Sequence, residues 1–354
     1  MAIKVTKASN LKPHPADDKL GFGKIFTDHM FNMDYAEGKG WFDPRIEPYA
    51  ALSCDPAMLV FHYGQAIFEG LKAYRTPKGN VQLFRPQANF ARFNRSASML
   101  CIPNFDEAEA LDHLRQLISV EKDWVPSSPG TSLYIRPTII ATDNYLGVAA
   151  SQTYRFFTIL SPVGAYYAEG FAPIKILVTT EHVRASRQGI GEAKTAANYA
   201  ASLLAGHKAA KAGYTQVLWL DAVERKYVEE VGSMNIFFVI DGEVVTPELN
   251  GSILPGITRD SVLTMARHWG LPVSERHISI EEIFEANENG KLEECFGTGT
   301  AAVISPVGEL RYDERVITIR NNEVGPLSQK LYDAITGIQF GEKEDPFGWI
   351  VPVD

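Results

Sequence analysis

Two hydrophobic periodicities run through this chain, and the places where one gives way to the other mark its elements. Up to about residue 50, short extended pieces alternate with Gly and Pro, a pattern that predicts mostly connection. From Met58 to Arg85 the runs MLVFHYGQAIFEGLKAYR and VQLFR, parted by Pro77-Lys78-Gly79-Asn80, predict strands joined by a hairpin. Residues 87–100 and 106–122 carry charges between apolar positions at helical spacing and predict two helices, separated at Pro103. SLYIRPTII and YRFFTILSPV are rich in β-branched and aromatic residues and predict a strand pair around a loop through Asp143, Asn144 and Gly147.

Residues 161–175, SPVGAYYAEGFAPIK, are dense in Pro, Gly and Ala and read as a linker. The expected division is a smaller N-terminal domain over 1–163, an interdomain loop over 164–175 and a larger C-terminal domain over 176–354. The second half repeats the mixture of elements: ILVTT as a strand, an Ala-rich helix from about 195 to 212, then QVLWLD, and NIFFVI with GEVVTP around an Asp241-Gly242 turn. A two-domain protein of mixed α and β structure follows, and 354 residues are enough for two full cores.

Composition narrows the function. A net charge of −9 gives no basic field for nucleic acid or anionic lipid, which favours small-molecule chemistry. Of three cysteines at least one has no partner within the chain, and none stands at metal-ligand spacing. The first twenty residues hold no apolar stretch of signal-peptide length and no run anywhere approaches a membrane span, so the cytoplasm is the expected compartment.

The most informative segment is GIGEAKTAANYAASLLAGHKAAKAG. Gly189 and Gly191 precede Lys194, which Thr195, Ala196 and Ala197 follow, and Glu192 is the one carboxylate close by in sequence. An amine desolvated among small residues loses its preference for the ammonium form, as attack on an aldehyde requires. Locally, an exposed lysine at a helix start fits the same residues. Two other segments have the makings of an anion cradle. Gly256, Ile257 and Thr258 stand before an amphipathic helix, whose first amides face an anion, and Gly297 to Ala301 form a second small-residue loop. In VEEVGSMNIFFVI, Glu230 is the candidate to keep a pyridine nitrogen protonated, the alternative being a solvated charge at a strand entrance.

In this order, HYGQAIFEGLKAY, LFRPQANFARFNRSA, GTSLYIRPTI, SPVGAYY, the Lys194 segment, QVLWLD, EEVGSMNIFFV, LPGITRDSV and FGTGTAAVISPV resemble the fold-type IV pyridoxal-phosphate enzymes. Within them the chain resembles the branched-chain amino-acid aminotransferases, over nearly its whole length. The resemblance implies a two-domain fold of the D-amino-acid aminotransferase type, classed between α+β and α/β. It also implies pyridoxal 5′-phosphate as cofactor, held by Lys194 as a Schiff base, amino acids and 2-oxo acids as substrates, and a homodimer without nucleic-acid or membrane partners.

Residue by residue, the resemblance assigns the cofactor phosphate to Arg92, Ile257, Thr258 and Thr300, with Arg184 nearby and Arg85 structural. It assigns the phenolic oxygen to Tyr199 and the ring nitrogen to Glu230, with Ser233 among the cofactor-binding positions. Tyr63, Phe68, Tyr134 and Tyr166 become the aromatic substrate positions, Arg136 the group that accommodates glutamate's distal carboxylate, and Thr300-Ala301 the holder of the α-carboxylate. Some relatives carry Cys-x-x-Cys where this chain has Ala302-Val303-Ile304-Ser305, which excludes thiol regulation there. The alternatives are a D-amino-acid aminotransferase or aminodeoxychorismate lyase of the same fold, and a non-catalytic pyridoxal-phosphate-binding protein.

Overall fold

The computed structural model describes residues 2–164 and 171–353. It divides into two compact units, Met1–Tyr166 with Ala193–Ala196 and Gly337–Asp354, and Tyr167–Glu192 with Ala197–Thr336.

The first unit is built on one sheet. Its strands are β1 (Lys4–Val5), β2 (His29–Ala36), β3 (Gly40–Pro48), β4 (Ala66–Phe68), β5 (Leu71–Arg75), β6 (Val81–Phe84), β7 (Ser132–Ala141) and β8 (Thr153–Val163), completed by the C-terminal strand Ile350–Pro352. They lie in the order β1-β3-β2-β8-β7-β5-β6 and then the C-terminal strand, with β4 also on β7. One face carries Phe31, Met33, Ile67, Leu71, Ala73, Leu133, Ile135 and Leu160 into a core closed by α2 (Pro86–Met99) and α3 (Glu107–Val120). Alternation therefore sends Phe68, Lys72, Tyr134 and Arg136 to the opposite face. Asp106 starts α3 by accepting the Glu109 amide, with Glu107 and Glu109 favourably placed in the first turn.

Two expectations are corrected here. Residues 29–48, read as connection because of Gly38, Gly40, Pro44 and Pro48, form the hairpin β2–β3. Their polar positions are kept in strand by partners: Asn32 donates to Glu47 at 2.8 Å, and Asp34 accepts from Arg45 at 2.8 Å and Arg155 at 2.9 Å. Leu59–Tyr63, read as strand, is a short helix α1 ended by Gly64 in the left-handed region.

The Lys194 segment and the C-terminal residues, expected in the second domain, also group with the first unit. The backbone explains why. Lys194 N–H donates to Ser96 Oγ at 2.9 Å, Phe68 N–H donates to the Lys194 carbonyl at 2.9 Å, and Thr195 forms a bridge with Ile67. The C-terminal strand pairs antiparallel with β6.

The second unit is a mixed sheet of β9 (Ile174–Val178), β10 (Gln216–Leu220), β11 (Val228–Val231), β12 (Met234–Ile240), β13 (Glu243–Thr246), β14 (Val273–Glu275), β15 (Leu292–Gly299), β16 (Val303–Tyr312) and β17 (Arg315–Thr318). The order is β11-β10-β9-β16-β15-β12-β13-β14, with β17 on β16. Asp241 and Gly242, both at positive φ, make the tight β12–β13 turn. The Ala-rich helix is two pieces, α4 (Ala196–Ala201) and α5 (Leu203–Lys211). They are followed by α6 (Ile257–His268), α7 (Ile280–Glu288) and α8 (Pro326–Gln339). Gly297 to Gly299, read as loop, end strand β15: Gly297 and Thr298 are paired on both sides by β12 and β16, and Gly299 by β16. Among the described residues no helix is long and apolar enough to cross a membrane.

Candidate active site

On the face of the first sheet opposite its core, the ring of Phe68 is the floor of a small polar group. Lys194 Nζ lies 5.0 Å from its centre and the Arg136 guanidinium 4.7 Å. Arg136 also donates to the Tyr134 hydroxyl at 2.9 Å, and Phe22 packs edge-on to Tyr134 at 5.1 Å. The hydroxyl of Tyr134 passes over Gly70, where any side chain would run into it, so glycine is required by close approach.

Next to Phe68 sits a buried ion pair that sequence reading missed. Glu69 takes Arg92 Nε at 2.7 Å on one oxygen and Arg92 Nη2 at 2.9 Å and Asn89 Nδ2 at 2.8 Å on the other. Burial pushes the Glu69 carboxyl up, but the Arg92 charge and hydrogen bonds, the Lys194 charge and Asn89 outweigh it and hold the group below the usual range. Two-point contact fixes the guanidinium plane as well as its charge. Glu69 lies inside the IFEGLKAY run, and nothing in that run separates a buried carboxylate from a solvated strand position. Arg85, by contrast, lies over the Trp349 ring, in keeping with a structural role.

The second unit holds the other candidate groups. Glu230 accepts the Leu254 N–H at 2.6 Å and lies 3.2 Å from Arg184, whose guanidinium also donates to the carbonyls of Gly191 and Ser252. Glu230 stands opposite Asn235, and Asn235 opposite Thr298, giving one row across β11, β12 and β15. Asn235 donates to the Leu254 carbonyl at 2.9 Å, so both polar groups of that residue's backbone are held from the row. Gly256, the N-cap of α6, presses against the Asn235 amide oxygen and leaves no room for a side chain. Thr258 is buried in the first turn of α6.

Glu229 is buried beside Glu230 and accepts from the Ser252 hydroxyl; burial outweighs its partners and raises its carboxyl above the usual range. Thr298 Oγ1 and Arg184 Nε are buried and without a hydrogen-bond partner among the described residues. Groups in that condition suit a polar ligand.

The remaining sequence-predicted positions are dispersed. Tyr199 is half-buried on α4, Ser233 is exposed in the β11–β12 turn, and Thr300 and Ala301 are half-buried in the turn after β15. Tyr63 lies exposed on α1 and donates to the Leu146 carbonyl. Tyr166 lies outside the described residues. Unused in the sequence reading but present at the sites are Phe22, Glu69, Lys72, Asn89, Asn235 and Ser252.

A lysine seated on an aromatic ring, a buried carboxylate clasped by backbone and arginine, and a glycine-capped helix with a buried threonine fit the residue set of a pyridoxal-phosphate aminotransferase. The Amino-transferase class IV family model matches residues 66–310. Branched-chain-amino-acid aminotransferase 2 of Bacillus subtilis is 59% identical over 351 residues, 99% of this chain and 97% of that one. The Escherichia coli branched-chain amino acid aminotransferase structure matches with TM-score 0.78 at 29% identity, covering 92% of this chain and 99% of that one. The T.th. branched-chain amino acid aminotransferase complexed with N-(5′-phosphopyridoxyl)-L-glutamate matches with TM-score 0.74 at 27% identity, covering 91% and 98%. The chain belongs to the class IV aminotransferases. Full-length relatives 56–59% identical to it, from Bacillus subtilis and Staphylococcus aureus, are named as branched-chain-amino-acid aminotransferases or transaminases.

Proposed function

We propose that this chain transfers amino groups between branched-chain L-amino acids (leucine, isoleucine, valine) and 2-oxoglutarate, with pyridoxal 5′-phosphate as cofactor. When bound, that cofactor supplies an aldehyde to receive the amino group and a ring that draws electrons from the substrate's α-carbon. The residues present fit it. Lys194 would hold its aldehyde through Nζ, Glu230 would accept a hydrogen bond from the protonated ring nitrogen, and Tyr199 would bind the phenolic oxygen. Ile257, Thr258, Thr300 and Arg92 hold the phosphate, with Arg184 and Ser233 among the supporting positions.

Lys194, besides holding the cofactor, would take the proton from the substrate's α-carbon at Nζ and later return it. The α-carboxylate is held by Thr300 and Ala301. The single observation that carries the substrate assignment is Phe68, with Lys194 at one side of its ring and Arg136 at another. An apolar floor stabilises an isopropyl group through buried methyl surface. The guanidinium at its margin receives the carboxylate of glutamate when the second substrate takes its turn. Ping-pong kinetics follow. Tyr134 and Tyr166 would complete the aromatic lining.

A cytoplasmic homodimer is the assembly that fits best. Phe61, Tyr63, Tyr145, Leu146 and Val148 expose apolar surface on α1 and the loop bonded to it, which suits a second copy. The test is to assay L-leucine against D-alanine with 2-oxoglutarate as acceptor. Turnover of leucine alone is expected; turnover of D-alanine alone would reassign the enzyme to the D-amino-acid branch of the same fold.

A further inference from the structure

The face of the first sheet opposite its core carries more polar chemistry than the proposed roles use. Lys72 on β5 is paired across the ladder with Tyr134 on β7, and Tyr134 with Ser161 on β8. Their neighbours Leu71, Ala73, Leu133, Ile135 and Leu160 all point into the core, so Lys72, Tyr134 and Ser161 form one row on the opposite face. Arg136 stands two residues along β7 from Tyr134 and bonds its hydroxyl. On a sheet, diagonal neighbours of this kind come within about 7–8 Å, inside the reach of long side chains.

All three are sheltered from solvent. Lys72 is 7% exposed and Ser161 4%, and burial pushes the Lys72 ammonium down to about 8. Two polar atoms of this group, Ser161 Oγ and Arg136 Nε, are buried with no hydrogen-bond partner among the described residues. An interior that leaves a hydroxyl and a guanidinium N–H unsatisfied beside a desolvated ammonium is arranged for an anion with several acceptor sites, and a carboxylate supplies about four.

We infer that Lys72 and Ser161 are specificity-determining residues that, together with Arg136, bind the distal carboxylate of the dicarboxylic substrate. The inference rests on the proposed exchange of branched-chain amino acids with 2-oxoglutarate, and deepens it. Lys72 contributes charge without geometry, as a compact ammonium on a flexible stem. Ser161 contributes a hydroxyl donor, and Arg136 the planar fork. When a branched side chain occupies the pocket instead, Lys72 makes no new bond, so its removal leaves that half of the reaction unharmed.

The experiment compares two ligands of the holoenzyme by calorimetry: glutarate, which carries a distal carboxylate, and 4-methylpentanoate, which ends in an isopropyl group. The two half-reactions, with L-glutamate and with L-leucine, are followed alongside. Lys72→Met keeps length and apolar stem, and is expected to weaken glutarate by roughly ten- to hundredfold, the range of one charged hydrogen bond. Binding of 4-methylpentanoate should stay within about twofold, a change too small to register a lost hydrogen bond. Lys72→Arg should restore most of the glutarate affinity. Ser161→Ala should weaken glutarate by about three- to tenfold, as for a neutral hydrogen bond.

Glutarate affinity unchanged in Lys72→Met, or an equal fall for both ligands, overturns the inference. If Lys72→Met fails to fold, Lys72→Arg and Ser161→Ala decide by the same ratio: retained and lowered glutarate affinity respectively support it, and any other pair of results refutes it. Failure of the underlying function has a different signature, since the unaltered enzyme would then fail to exchange leucine with 2-oxoglutarate at all.

Discussion

The candidate site residues of the two units hold their charges by opposite means. In the first, Glu69 is met mainly by side chains distant in sequence, Arg92 and Asn89, while Arg136 rests on the rings of Phe68 and Tyr134. In the second, backbone does most of the work. Glu230 takes the Leu254 amide, Arg184 gives to the carbonyls of Gly191 and Ser252, and Asp221 accepts from the amides of Val223, Glu224, Lys226 and Tyr227. Glu294 likewise accepts the first amides of α8, at Leu327 and Ser328. A side-chain partner is lost with one substitution, whereas a backbone donor leaves only if the chain moves. The first site should therefore be fragile to changes of charge and the second to changes of loop geometry.

Lys194→Ala makes the largest change. It should lower turnover by about 10⁴-fold or more, removing both the anchor and the proton carrier. It should also abolish the absorbance of the lysine-bound cofactor, read in the same cuvette. Turnover retained at a tenth of normal would take the chemistry away from the first unit.

Next comes Glu69→Gln, which leaves the buried Arg92 guanidinium without its counter-charge and should cost roughly 3–5 kcal/mol in urea unfolding. Glu229→Gln, the matched change in the second unit, should leave stability level or higher, since burial already favours its neutral form. Equal losses at both positions would break the contrast.

Gly256→Ala tests the other half of it. The added methyl meets the Asn235 amide, so the loop before α6 must shift, at about 1–3 kcal/mol. Cofactor affinity should weaken with it, as equilibrium titration would show, while Glu230→Gln should leave that loop in place.

The smallest effect is in pH. Glu69, held below the ordinary Glu value of 4.5, contributes stability that is complete above that value and is lost as pH falls through its lower folded value. Glu229, raised above 4.5, acts in reverse: stability increases as pH falls from its raised value towards the ordinary one. Urea midpoints measured against pH should show the acid-side loss disappear in Glu69→Gln and the gain on mild acidification disappear in Glu229→Gln.

What was legible in the sequence follows the same divide. The glycine-capped entry to α6, the Glu230 strand and the small residues around Lys194 are local signals, because their partners lie in backbone or in nearby chain. Glu69, Lys72 and Ser161 were hidden. Alternation shows which face of a strand a residue takes, but a buried polar face and a solvated one are written with the same letters. The hairpin β2–β3 was missed for a related reason, since its polar strand positions are answered by Arg45, Glu47 and Arg155, and only pairing reveals those partners. The grouping of Ala193–Ala196 with the first unit depends on Ser96 and Phe68, about a hundred residues away in the chain, which no local pattern encodes.

Phe68 has one more consequence. With an amine and a guanidinium both seated on a single ring, at 5.0 and 4.7 Å from its centre, the ring acts as a ruler between them. On the proposed reading, a dicarboxylic substrate is gauged by how many carbons separate its α-carbon, beside Lys194, from its distal acid group, beside Arg136. Glutamate should span the interval, and aspartate, one methylene shorter, should fall short of it. The enzyme would then count carbons with a benzene ring.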